Sequence, residues 1–467
     1  MGFHSLHLWV QSCEMVYSLI AGLIGLFVSI ITIPILIAKA RSGFGVDQPD
    51  GLRKTHLQGI SRLGGISLAI VFCLGAIFLS FQKSPVASLW IPTLGGPIAM
   101  FLLGLVDDFK PLGARFKLGG QILIAIGIYS LGLRIDSMTY PGGDFTVDLT
   151  RFSFLITIFW LIAIPNLVNL IDGVDGIAGG LGAFLFLTLG IVAIQSQQWG
   201  IVFVSLAMVG ALIGFLFYNF PPAKIFLGDG GAYLIGSAIS TLSLMSSNKG
   251  SIAAALLVTI VALGIPIADT LFALCRRFLK GYPIFRADAG HIHHRLQKIG
   301  LSKRRMVLGM YAIFFILGLF GLSIFWSQGR TLPIVGGFLF LFAIYSIKNL
   351  GYIQSWSHFR IKFDLAVHRR SQVQYTLLAA ELLELQVERA RDFKEYRDFF
   401  KIIAGGVGFD LDRNAGRSVS IVLRNGERVV LGVSEKEEIE HWENLAGLFL
   451  SALNQSLKKW VYAKFND

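Results

Sequence analysis

The chain predicts an all-α polytopic membrane protein of about eleven transmembrane helices, followed by a small C-terminal α+β cytoplasmic extension. Three observations carry this expectation. Of the 467 residues, 54% are hydrophobic and only 15% are charged, where an ordinary soluble domain carries about 25% charged residues. Apolar runs long enough to cross a hydrocarbon core, which takes roughly 20 residues, recur along the first three-quarters of the chain. Beyond residue 349 they stop, and a mixed, near-neutral sequence begins.

The runs fall at 15–38, 64–81, 88–106, 118–134, 153–171, 177–195, 200–219, 231–246, 252–275, 306–325 and 331–347. The N-terminus has His4 and His7 but no Lys or Arg ahead of the first run, so that run reads as a retained helix rather than a cleaved signal. With the N-terminus outside, the segments 39–63, 107–117, 172–176, 220–230 and 276–305 and the whole tail are cytoplasmic. Those five loops hold 18 Lys and Arg residues against 5 in the opposite loops, the asymmetry of a multi-pass protein of the cytoplasmic membrane with its C-terminus inside. The same asymmetry accounts for the formal charge of +12 without a nucleic-acid partner. Cys13, Cys73 and Cys275 have no paired spacing, so neither a disulfide framework nor a zinc site is expected.

Two domains follow, a transmembrane domain over 1–347 and a soluble cytoplasmic tail of unassigned role over 348–467. In the tail, 372–403 has helical periodicity. Apolar alternation at 418–423 and 429–433 around Asn425–Gly426 predicts a β-hairpin, and a last amphipathic helix is expected over 437–465.

Five polar clusters stand at the expected cytoplasmic side. Asp107 and Asp108 close the third run, followed by Lys110, Arg115 and Lys117. Adjacent carboxylates at a membrane boundary repel each other and are costly there, which points to a cation or a proton-transfer role; a solvated helix end is the bland alternative. Asn166, Asn169 and Asp172 are spaced three apart and share one helix face, and Gly173 and Gly176 permit a tight turn around Asp175. Asp229 sits among Gly228, Gly230 and Gly231 just before the eighth run. It reads either as the N-cap of the next helix or as a hard oxygen ligand for a magnesium ion that also holds phosphate. His291, His293, His294 and Arg295 lie in a loop rich in Arg and Lys, where directed donors suit anion recognition. Lys54 and His56 belong to a first-loop cluster that also contains Asp47, Asp50 and Arg53 and ends at Arg62 and Gly65. Acids, amides and cations gathered at one membrane face are equipment for phosphoryl transfer, which asks a protein for positioning and charge neutralisation.

The ordered motifs RKTHLQGISRLGG, GLVDDFKPLGARFKLGGQ, NLVNLIDGVDGIAGG, KIFLGDGGAYLIG and HIHHRL resemble those of the polyprenyl-phosphate N-acetylhexosamine-1-phosphate transferases, glycosyltransferase family 4. The resemblance covers roughly residues 15–347. Its muramoyl-pentapeptide branch has consecutive histidines where this chain has His291-Ile-His293-His294-Arg295. That pattern is more similar to the branch acting on UDP-N-acetylglucosamine and undecaprenyl phosphate, which initiates O-antigen, teichoic acid and other envelope glycans. The resemblance implies transfer of a sugar 1-phosphate from a UDP-N-acetylhexosamine to a polyprenyl phosphate, release of UMP, magnesium as cofactor with manganese as a substitute, and compatibility with a homodimer. It implies Asp107, Asp108 and Asp229 as catalytic residues, with Asp229, Asp108 and Asn169 at the metal. It further implies Lys117 and Asn169 on phosphate or nucleotide, Asp172 and Asp175 around uridine and metal, His291, His293, His294 and Arg295 on the nucleotide sugar, and Lys54 and His56 near the entrance of the lipid phosphate. Direct displacement and a two-step route through an aspartyl-phosphate both remain open at this point.

Two other readings are weaker. A transporter places its polar residues near the midplane, whereas these acids gather at one face. An enzyme acting on CDP-alcohols matches only the Asp172-Gly-Val-Asp175-Gly fragment.

Overall fold

The computed structural model describes residues 2–40, 46–47, 60–81, 87–139, 146–247, 252–279, 301–349, 356–410, 417–423, 428–433 and 439–460. They divide into two units, one of Met1–Leu271 with Ala289–Leu350 and one of Phe272–Asp288 with Gly351–Asp467.

In the order of the chain, the helices before the tail are α1 (Gly2–Ala40), α2 (Gly64–Ser80), α3 (Ala87–Phe109), α4 (Ala114–Ser130), α5 (Ser153–Ile171), α6 (Ile177–Gln195), α7 (Trp199–Asn219), α8 (Gly228–Ser247), α9 (Ile252–Ala262), α10 (Gly264–Leu279), α11 (Lys303–Trp326) and α12 (Leu332–Asn349). Two small antiparallel pairs accompany them, β1 (Val46–Asp47) with β2 (Ile60–Ser61) and β3 (Ser137–Thr139) with β4 (Thr146–Asp148).

A helix lies at each of the eleven predicted runs, but eleven crossings are not established. Among the described residues six helices are long and apolar enough to span a membrane: the main part of α1, then α3, α5, α6, α7 and α11. A seventh arises if residues 256–262 and 264–274 count as one span. They are bent by 64° at their junction, which splits the expected ninth run in two.

The case of α8 shows why apolarity undercounts. It packs against α2, α3, α5, α6 and α9, so its surroundings are protein, and a helix enclosed by helices has no need of an apolar surface. Ser237, Ser240, Thr241, Ser243 and Ser246 on α8 are all buried. Thr241 donates to the Thr93 carbonyl of α3 at 2.9 Å, and the Trp160 indole of α5 donates to Ser243 Oγ at 3.3 Å. Such bonds satisfy hydroxyls that lipid would leave unpaired.

The tail unit contains α13 (Trp356–Arg389), α14 (Phe393–Val407), β5 (Arg417–Val422), β6 (Arg428–Val433), α15 (Ile439–Leu448) and α16 (Leu450–Lys459). Leu383, Tyr396, Phe400, Ile421, Leu431, Trp442 and Phe449 belong to its core. The hairpin pairs Val419 with Leu431 and Ile421 with Val429, while Asn425–Gly426 lies outside the described residues.

Two expected helices prove to be broken. The run over 372–403 is interrupted because Asp392 accepts from Glu395 N and the Glu395 carboxylate accepts from Arg391 N, both at 2.8 Å. This reciprocal capping box starts a new helix. The last helix breaks at Phe449, whose ring is fully buried; residues 461–467 lie outside the described ones.

Candidate active site

The site is built where α2, α3, α4, α5 and α8 end or begin. Residues 61–65 and 225–227 run side by side: Phe226 N donates to Ser61 O at 2.7 Å, and Gly64 N and Gly65 N donate to Phe226 O and Leu227 O at 2.9 Å. The helices α2 and α8 therefore start next to each other. At the crossing of α3 with α8, a Cβ on Gly104 would lie 2.6 Å from the Gly230 Cα. Only a side-chain-free contact lets the last turn of α3 meet the first turn of α8.

That contact delivers Asp108 to the start of α8. Its Oδ1 accepts from Asp229 N and its Oδ2 from Gly230 N, each at 2.9 Å. These are N–H groups that a helix start cannot satisfy internally, and the positive end of the helix dipole favours a carboxylate there. Capping by Asp108 leaves the Asp229 side chain to turn elsewhere. Its Oδ2 accepts from the Lys117 ammonium of α4 at 2.8 Å, and the same ammonium lies 2.5 Å from Asp107 Oδ2. Asp107 Oδ1 accepts from Leu112 N at 2.6 Å. One lysine thus bridges carboxylates from two helices, beside a third carboxylate held by backbone.

Gly228 has φ +78, and a Cβ there would stand 2.6 Å from Asp108 Oδ2. Gly228→Ala combines left-handed backbone strain with displacement of that carboxylate. It is expected to lower the melting temperature in detergent and to cut catalytic activity by about tenfold or more, measured on the same purified sample.

Asp172 caps the end of α5 and is half-buried. Desolvation holds its carboxyl well above the ordinary carboxylate value, the negative charges of Asp229 and Asp108 add to that, and the Arg62 guanidinium opposes it. Asp172, Asp108, Asp229 and Arg62 consequently form one electrostatic cluster. Asp175 accepts from Ala223 N at 3.2 Å. Gly176 N donates to Asn219 Oδ1 and Asn219 Nδ2 donates to Ile225 O, both at 2.8 Å, which ties the 172–176 turn to the loop leading into α8. Asn169 is half-buried one turn from Asn166 on the same face of α5. Asn166 itself exchanges amide hydrogen bonds with Gln121 of α4, at 2.8 and 3.4 Å.

Of the residues expected at the site, Lys117 pairs with both Asp107 and Asp229, Asp108 accepts from the Asp229 backbone N–H, and Asp172 shares their electrostatic field. Asp175 serves the neighbouring turn. Lys54, His56, His291, His293, His294 and Arg295 lie outside the described residues. Sequence reasoning gave no role to Gln121 or Gly104, and named Arg62 only as the end of the first-loop cluster. Gln121 is a polar residue within an apolar helix run and 1% exposed, a signal open to reading; the close approach at Gly104 leaves none in the sequence.

Magnesium is the cofactor expected here. Among the described residues no three His, Cys, Asp or Glu side chains form a ready metal cage. A magnesium ion typically takes one or two protein carboxylates and completes its shell with water and substrate phosphates. The donor set fits that habit. Every candidate is a hard oxygen, negative charge exceeds the two cations Lys117 and Arg62, and the oxygens of Asp108 keep lone pairs beyond the backbone bonds they accept.

Comparison with known proteins gives the family. Residues 90–247 match the family model described as glycosyl transferase family 4. The chain is 34% identical over 307 residues to a probable undecaprenyl-phosphate N-acetylglucosaminyl 1-phosphate transferase of Bacillus subtilis, covering 66% of this chain and 84% of that protein. It is 30% identical to a phospho-N-acetylmuramoyl-pentapeptide-transferase of Bacillus velezensis, covering 65% and 96%. A decaprenyl-phosphate N-acetylglucosaminephosphotransferase of Mycobacterium tuberculosis is also 30% identical, with 62% and 79% covered.

Proposed function

Because the chain belongs to glycosyl transferase family 4, we propose that it transfers N-acetylglucosamine 1-phosphate from UDP-N-acetylglucosamine to a polyprenyl phosphate such as undecaprenyl phosphate, releasing UMP. The reaction is magnesium-dependent and begins an envelope glycan at the cytoplasmic face of the cell membrane. The excess of Lys and Arg in the loops around the site supports that orientation. The choice of sugar is supported by the Bacillus subtilis and Mycobacterium tuberculosis relatives, whose names specify N-acetylglucosamine, and by the interrupted histidine pattern at 291–295.

The observation that carries the proposal is the Lys117 bridge between Asp107 and Asp229 next to the Asp108-capped start of α8. Phosphoryl transfer needs positioned charge more than covalent help from the protein. An oxygen of the lipid phosphate bonds to the β-phosphorus as the bond from that phosphorus to the α–β bridging oxygen breaks, and UMP leaves with the electron pair. Asp107 orients the lipid phosphate and takes its proton. The Lys117 ammonium faces the charge that builds on the phosphoryl oxygens. Asp229, with Asp108 behind it and Asn169 on α5, would hold the magnesium ion. When bound, the ion neutralises the diphosphate and polarises it.

The test is UMP release from UDP-N-acetylglucosamine by detergent-purified protein. Release is expected to require both polyprenyl phosphate and magnesium, to fall by about a hundredfold or more with excess EDTA, and to return with magnesium or manganese. UDP-N-acetylgalactosamine and UDP-N-acetylmuramoyl-pentapeptide in the same assay decide the sugar. A folded protein that releases UMP from none of them overturns the proposal.

A further inference from the structure

The hydrogen-bond inventory of the acid cluster leaves Lys117 in a particular position. Both oxygens of Asp107 are engaged, one by Leu112 N and one by the ammonium. Both oxygens of Asp108 accept backbone N–H groups. Asp229 has one oxygen on the ammonium. Side-chain exposure is 25% for Lys117, 11% for Asp107 and 22% for Asp229. Two carboxylates this close in a partly dehydrated recess repel strongly unless a cation lies between them, and the ammonium is that cation.

A divalent ion bound at Asp229 changes the balance. Its charge and that of an ammonium on the same carboxylate oppose each other at short range. A lysine is well suited to yield, since its charge rides on a flexible four-carbon stem. Lys117 lies in the first turn of α4.

Resting on the transferase reading, we propose that Lys117 is an exchangeable counter-ion: it holds the Asp107–Asp229 pair together in the metal-free protein, leaves Asp229 when a divalent cation binds there, and passes its ammonium to the phosphate oxygens of the donor diphosphate. Metal and diphosphate then bind cooperatively through one side chain, because the metal frees the lysine for the diphosphate and the diphosphate draws it off the carboxylate the metal needs, and such linkage is reciprocal. A fixed structural ion pair lacks this behaviour.

Two measurements on the full-length protein in detergent, both independent of turnover, test the exchange. In the first, free Mn2+ is titrated by electron paramagnetic resonance, without nucleotide, in the wild type and in Lys117→Met. Mn2+ is expected to bind the variant about tenfold more tightly, since its competitor is gone. In the second, the wild type is acetylated with an N-hydroxysuccinimide ester and Lys117 modification is read by mass spectrometry. Labelling is expected to rise several-fold when Mn2+ saturates the site and to fall when UDP is then added.

Equal or weaker Mn2+ binding by Lys117→Met, or labelling that Mn2+ leaves unchanged or lowers, overturns the proposal. If the variant does not fold, the wild-type labelling decides alone. Exchange without UMP release from any nucleotide sugar would remove the transferase reading and leave the counter-ion role standing.

Discussion

Asp229→Asn is expected to lower UMP release by about a thousandfold while the protein stays folded. The substitution keeps the shape of the side chain and removes its negative charge. Neighbouring structure loses little: the first turn of α8 is capped through backbone N–H groups by Asp108, which the change leaves in place. Lys117 keeps Asp107 as its partner. The substitution also removes one of the negative charges that raise the Asp172 carboxyl. Stability should therefore change by about 1 kcal/mol or less, the scale of a partly exposed ion pair. Function should change far more, because the residue assigned to the magnesium ion then offers a neutral oxygen at the point where diphosphate charge must be neutralised. The check is paired: a melting curve in detergent and a UMP-release rate from one preparation. A variant that keeps more than about a tenth of wild-type activity at saturating magnesium would remove Asp229 from the reaction.

Much of this site was legible in the sequence, and the parts that were not have physical causes. Adjacent acids at the end of an apolar run, an aspartate between glycines, and amides spaced three apart in a helix are residues that the membrane boundary penalises. Their cost is what makes them visible. Asp107, Asp108, Lys117 and Asp229 were each singled out from such patterns, and the fold joins them through the Lys117 bridge and the Asp108 cap on α8.

Around the site, hydropathy placed three run ends inside the real helix ends. The third run extends from 106 to Phe109, the fourth begins at Ala114 rather than 118, and the eighth begins at Gly228 rather than 231. All three errors have one origin: hydropathy falls where charged residues begin, whereas the helix continues until its backbone groups find other partners. The acids lie in those polar last turns, so the helices hold them more rigidly than loops would. Length and apolarity establish six or seven of the eleven expected crossings among the described residues, and α8 shows how a helix surrounded by protein escapes that test. The first break in the tail followed a local signal, Asp392 with Glu395, that a long apolar periodicity concealed.

The last prediction separates two neighbours that composition treats alike. Asp108→Ala is expected to lower both activity and stability, and Asp107→Asn to lower activity alone. Asp108 accepts two part-buried N–H groups at the start of α8, and removing both acceptors leaves these donors without their cap, at a cost of about 1–2 kcal/mol. Asp108→Asn keeps one side-chain oxygen, so it should recover part of the melting temperature while activity stays low. Asp107 accepts one backbone N–H from Leu112 through Oδ1 and pairs with Lys117 through Oδ2. An asparagine there keeps the first bond and loses only the charge, which Asp229 continues to supply to Lys117. Both acids should lose about a hundredfold or more in UMP release, because each places charge within the reacting cluster. A wild-type melting temperature for Asp108→Ala would show that the start of α8 does not depend on its cap. Retention of most activity by Asp107→Asn across the pH range would show that the lipid phosphate is oriented and deprotonated without it.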